Sequence, residues 1–140
     1  MNYKFTESAS QAIAYSQEIA KELSHNYVGT EHLLIGLLQV EGVAKAVLEK
    51  NGVNKDKVLE LVKELIAASS TMEAVGAGGF TPRSKRILEQ SLREAMRLKS
   101  QAIGTEHILL ALLKETDCIA IRLLNSLGVN IQKVYIDILT

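Results

Sequence analysis

Apolar residues recur along this chain at intervals of three and four, the spacing that lines one face of an α-helix. After Thr6 come Ala9, Ala12, Ile13, Ile19, Ala20 and Leu23. After Thr81-Pro82 come Ile87, Leu88, Leu92, Ala95, Met96 and Leu98. Thr at an N-cap with Pro at the first helical position is a strong start signal. Two further segments, Leu33 to Leu38 and Ile108 to Leu113, are apolar on nearly every side and follow Thr30 and Thr105, read as N-caps. Helices of that kind belong at the centre of a bundle. Shorter helices are predicted near 43–50 and 118–126, ended by Gly52 and Gly128. Asn54 and Asn130 then cap a last helix in each half, with Val58, Leu61, Val62, Leu65 and Ile66 on one face of the first and Ile131, Val134, Tyr135 and Ile138 on the second. The β-branched residues keep helical rather than alternating spacing, so no strand is predicted.

The two sets of four helices are copies. Residues 5–38 align without a gap to 80–113, with 12 identities in 34 positions. Both copies contain Gly-Thr-Glu-His, at 29–32 and 104–107, and both contain Gly-Val-Asn, at 52–54 and 128–130. A shared four-residue string at matching places identifies an internal duplication. The predicted organisation is repeat one at 1–68, a Ser- and Gly-rich linker at 69–79, and repeat two at 80–140. A unit of about 70 residues is marginal alone, so the halves are expected to pack as one pseudo-twofold, all-α domain.

Composition narrows the function. Sixteen basic residues balance sixteen acidic ones, which gives no global field to draw the chain to nucleic acid or an anionic membrane. Positive residues cluster only in 83–99, where acidic ones interrupt them. The N-terminus has no signal-peptide h-region, and no apolar run reaches membrane-spanning length. Cys118 is the single cysteine, which fits a reducing, cytoplasmic setting, and it reads as a small buried hydrophobe. There is no phosphate-binding Gly-x-x-x-x-Gly-Lys-[Ser/Thr] loop, no nucleophile elbow and no His-Glu-x-x-His. His32 and His107 lack the companions a metal needs and are expected to pack and hydrogen-bond near the junction of the first two helices. His25 falls at the end of the first helix with no evident chemistry.

A duplicated unit that opens Phe-Thr, carries Gly-Thr-Glu-His about 24 residues later, and has Asn-Gly-Val or Leu-Gly-Val after its third helix resembles the Clp N-terminal repeat. The opening Phe80-Thr81-Pro82-Arg83-Ser84-Lys85 is especially similar to the ClpC branch. The resemblance implies the double Clp-N fold and a non-catalytic domain on a hexameric AAA+ unfoldase. It implies recruitment of substrates and of adaptors such as MecA, with ClpP as the downstream protease. ATP and Mg sites would lie further along a full-length protein, with no cofactor in this segment. The isolated domain is expected to be a monomer. It also implies recognition of phosphorylated arginine, with an acidic residue at the motif position of Glu31 and Glu106.

On residues alone, a Glu in a helix's first turn is also explained by the macrodipole. An exposed carboxylate at each entrance could instead grip a guanidinium. Thr6 and Thr81 could add hydroxyls for a phosphate, and Arg83 and Lys85 could add positive charge; Arg83, Lys85 and Arg86 also read as a solvated helix face. The first copy has Ser8 and Ser10 at the places of Arg83 and Lys85, where ClpC-like sequences usually carry a basic residue at the Ser8 position. Glu106 is therefore expected to contribute more affinity than Glu31. Phe5 and Phe80 are expected to anchor the start of each repeat, with Phe80 also a candidate partner surface. Two other readings are a free-standing Clp-N adaptor or regulator and, from another class, a small helical enzyme or metal protein.

Overall fold

The computed structural model describes residues 4–66 and 79–140. Within them lie eight helices: α1 (Glu7–Glu22), α2 (Thr30–Gln39), α3 (Val43–Lys50), α4 (Lys55–Leu65), α5 (Pro82–Arg97), α6 (Thr105–Lys114), α7 (Ile119–Ser126) and α8 (Ile131–Leu139). The linker expected at 69–79 falls outside the described residues except for Gly79.

Four of the predicted caps form where the sequence places them. Thr6 and Thr81 accept hydrogen bonds from the amides of Ala9 and Ser84, and Asn54 and Asn130 accept from Lys57 and Lys133. Each supplies an acceptor to an otherwise unpaired first-turn donor. Gly52 and Gly128 close α3 and α7 with φ of +84° and +75°, conformations that cost any other residue strain.

Helices α2 and α6 form the middle of the domain. Every residue of α2 from Thr30 to Leu38 is buried, and so is every residue of α6 from Thr105 to Leu113 except Glu106. Helix α1 packs on α2 and α5 on α6, and one apolar core continues across both repeats. At Gly36 the α1–α2 approach is close enough that a Cβ would lie 2.3 Å from the carbonyl oxygen of Ala12.

The repeats exchange their edges. Phe5 forms a parallel bridge with Ile103, and Phe80 forms the symmetry-equivalent bridge with Val28. Thr6 donates its N–H to the Ile103 carbonyl, and Thr81 donates to Val28. A second reciprocal exchange lies deeper. The hydroxyl of Thr30 accepts from the amide of Ala120 at 3.0 Å, and that of Thr105 accepts from Ala44 at 3.4 Å. Thr30 and Thr105 were expected as N-caps of their own helices. Gly29 and Gly104 hold that position instead, and the threonine hydroxyls turn across the pseudo-twofold to satisfy the first turn of the partner repeat's third helix.

Candidate functional site

Each Gly-Thr-Glu-His string builds the same helix entrance. The glycine is the N-cap, and its N–H donates to Nδ1 of the histidine three residues on: Gly29 to His32 at 2.8 Å and Gly104 to His107 at 2.9 Å. This is one half of a capping box made with imidazole. The glutamate folds back over the glycine. A Cβ on Gly29 would lie 2.3 Å from Oε1 of Glu31, and one on Gly104 would lie 2.3 Å from Oε1 of Glu106. The carboxylate occupies the space a side chain at the glycine would take, so a larger residue there must displace it.

Beyond that common frame the two entrances differ. Tyr27 lies four residues before Glu31, and the equivalent residue of repeat two is Ala102. The Tyr27 hydroxyl donates to Oε2 of Glu31 at 3.0 Å, and the glutamate is 0% exposed. Glu106 has no such roof and stays half-buried. The expectation of an exposed carboxylate at each entrance is thus corrected for Glu31, and the reason is the Tyr27/Ala102 difference. Burial drives the Glu31 pKa up, opposed by hydrogen bonds from its own backbone and from Tyr27. Oε1 of Glu31 is buried with no hydrogen-bond partner, an uncommon state for a carboxylate oxygen in a folded protein.

Tyr27 is held by two histidines. Its ring stacks on His25, with centroids 5.2 Å apart, and meets His32 edge-on. Because Nδ1 of His32 accepts from Gly29, its proton sits on Nε2 and points at Nδ1 of His25, 2.7 Å away. Burial, with His25 adding to it, lowers the His32 pKa to about 3. Repeat two has Ser100 where His25 stands, so the aromatic cluster belongs to repeat one alone.

The Glu31 entrance lines a cavity of about 770 Å³. Leu65 and Ile66 at the end of α4 add an apolar wall from repeat one, and the rest comes from repeat two: Thr81, Pro82 and Arg83 at the start of α5, Arg86 one turn on, and Asp117, Cys118, Ile119 and Arg122 at the start of α7. The Val28–Phe80 bridge brings these walls to Glu31. The basic residues of the second copy therefore face the carboxylate of the first, which reverses the premise that made Glu106 the stronger candidate. Three predicted residues, Glu31, Thr81 and Arg83, meet at this cavity. Glu106 and Thr6 lie at the opposite entrance, where Thr6 pairs with Ile103 and the neighbouring position is Ser8. Lys85 is exposed and does not line the cavity. Phe80 is half-buried against the core beside Val28.

The arginines are already paired. Arg86 binds both oxygens of Glu115, Arg83 lies 3.9 Å from the same carboxylate and donates to the Thr116 carbonyl, and Arg122 binds Asp117. The Arg122–Asp117 contact is exposed on both sides and holds its guanidinium only weakly, whereas Arg86 is held by a two-pronged contact to a Glu115 side chain that is mostly covered. The Thr81 hydroxyl donates to Ser84 at 3.0 Å and is less free for a ligand than its sequence position suggests. Sequence reasoning missed Tyr27, His25 and Arg122. The signal for the first two was the contrast between His25-Asn26-Tyr27 and Ser100-Gln101-Ala102. Nothing in the linear spacing pointed to Arg122. Among the described residues, no group of three His, Cys, Asp or Glu side chains could hold a metal, and no helix is long and apolar enough to cross a membrane.

Comparison with known proteins agrees with this architecture. The family described as the Clp repeat (R) N-terminal domain matches twice, at residues 4–78 and 79–139. The ATP-dependent Clp protease ATP-binding subunit ClpC of Staphylococcus aureus (strain USA300) is 43% identical over 131 residues, 93% of this chain. The chain spans 16% of that relative's length. The N-terminal domain of the caseinolytic protease associated chaperone ClpD from Arabidopsis thaliana superposes with a TM-score of 0.80 at 30% identity, covering 97% of this chain and 92% of that one. The Hsp104 N-terminal domain from Candida albicans shares the fold, with a TM-score of 0.76 at 15% identity, covering 96% of this chain and 89% of that one. The chain belongs to the Clp repeat N-terminal domain family.

Proposed function

We propose that this chain recruits substrates, without catalysis of its own, for a ClpC-like ATP-dependent unfoldase, and that it recognises arginine-phosphorylated proteins at the cavity over Glu31. The observation that carries this reading is the partnerless Oε1 of Glu31 in a cavity rimmed by Arg83, Arg86 and Arg122. A phosphorylated arginine offers the complementary pair of groups. Its guanidinium brings N–H donors to a carboxylate oxygen that has none, and its phosphoryl oxygens can take over arginine contacts now made to Glu115 and Asp117. In the full-length protein, ATP and Mg would act in modules outside this segment. ClpP and an adaptor such as MecA would be partners of the assembled cytoplasmic hexamer.

Calorimetric titration with free phosphoarginine tests the reading, with arginine and inorganic phosphate as controls. Saturable binding of phosphoarginine alone, weakened in Arg83→Ala, is expected. No heat with phosphoarginine, or equal binding of inorganic phosphate, would remove it.

A further inference from the structure

The geometry points to Tyr27 as the residue that makes the Glu31 entrance selective for a guanidinium over an ammonium group. It holds one carboxylate oxygen and roofs the other, so that only a cation bringing directional N–H donors out of water is received. This inference rests on the proposal that the cavity takes a cationic, phosphate-bearing ligand.

The second repeat supplies the internal control. Glu106 folds over Gly104 with the placement Glu31 has over Gly29, on the same backbone frame. What differs is the roof: Tyr27, supported by stacking on His25, against Ala102 and Ser100. At the Glu106 entrance the carboxylate is partly in water, where any cation can approach with its hydration largely intact. At the Glu31 entrance Tyr27 is 5% exposed and the glutamate 0%, so an incoming cation must shed its water first. An ammonium is a compact, strongly hydrated charge, whereas a guanidinium is weakly hydrated and presents fixed, planar donors. With Oε2 committed to Tyr27 at 3.0 Å, the remaining oxygen is a single acceptor of fixed direction. A site built to satisfy a particular donor set rejects a ligand that lacks it.

Two small probes separate this inference from the reading beneath it: guanidinoethyl phosphate and aminoethyl phosphate, which differ only in their cationic head. NMR titration followed at the Thr30 and Thr105 amides reads the two entrances separately. At Thr30 in the wild type, the guanidinium probe is expected to bind about tenfold or more tightly than the ammonium probe. In Tyr27→Ala, and in Tyr27→Phe, which keeps the ring but not the hydroxyl, that ratio should fall toward the one at Thr105. Ala102→Tyr should raise the ratio at Thr105. A ratio at Thr30 that Tyr27→Ala and Tyr27→Phe both leave unchanged overturns the inference and leaves the proposed function standing. If neither probe shifts either entrance, both the inference and the reading beneath it are overturned.

Discussion

Val28 and Phe80 form a parallel bridge across the repeat boundary, with the Val28 carbonyl accepting from Thr81 at 3.1 Å. This one pairing decides which side chains meet. It carries Arg83 and Arg86 to the Gly-Thr-Glu-His entrance of the other repeat and leaves Glu106 facing the uncharged Ser8 side of repeat one. The candidate site over Glu31 is thus built from both copies, although each copy contains the whole motif.

Glu31 should trade stability for binding. Its pKa is raised in the folded state by burial. A raised pKa contributes stability that is complete below the unfolded carboxyl range and is lost as pH rises through the folded value. Glu31→Gln removes that loss, so the variant should melt higher than wild type at pH 7, with the gap closing near pH 4. Thermal scans across that range check it. By the same linkage, phosphoarginine affinity should rise with pH through the Glu31 titration, because a charged partner favours the ionised carboxylate.

The buried imidazoles should set the acid limit. The His32 pKa is depressed to about 3 from 6.5. Its contribution is present above 6.5 and lost as pH falls toward 3. Stability from urea melts should therefore decline as pH falls through that window. In His32→Gln the decline should be shallower. An equal slope in the two proteins would show that other groups set the acid limit.

Equivalent glycines should respond unequally. At both N-caps a new Cβ would collide with Oε1 of the following glutamate. Glu106 can swing into water, whereas Glu31 is trapped under Tyr27, whose ring also lies 3.1 Å from that Cβ. Gly29→Ala should cost about 1–3 kcal/mol, the usual range for overpacking, and Gly104→Ala should cost distinctly less. Chemical denaturation of the two variants gives the comparison.

The reciprocal threonines should hold the repeats together. Thr30→Val and Thr105→Val each leave a buried helix-start amide, at Ala120 or Ala44, without its acceptor. Each should destabilise the domain by about 1–3 kcal/mol, as read by denaturation midpoints. Thr30→Val should cost more, because its bond is the shorter one.

Much of this fold was legible in the chain. Caps at Thr6, Asn54, Thr81 and Asn130, and the stops at Gly52 and Gly128, are local signals that the tertiary structure leaves in force. The duplication forecast the pseudo-twofold packing. What it could not convey was the exchange of edges, because an internal alignment equates Glu31 with Glu106 but does not say which copy of α5 stands opposite either. The hydroxyls of Thr30 and Thr105 were misread for the same reason: their partners are 90 and 61 residues away. Tyr27, which caps the buried Glu31 carboxylate, lies four residues upstream, and its meaning appears only once the loop before α2 is folded.

The shared-site account is tested most directly by calorimetry of Glu31→Gln and Glu106→Gln with free phosphoarginine. Glu31→Gln should weaken binding by about tenfold or more, as expected for loss of a dry, charge-assisted contact, and Glu106→Gln should stay within about threefold of wild type. Equal losses, or a larger loss at Glu106, would contradict it.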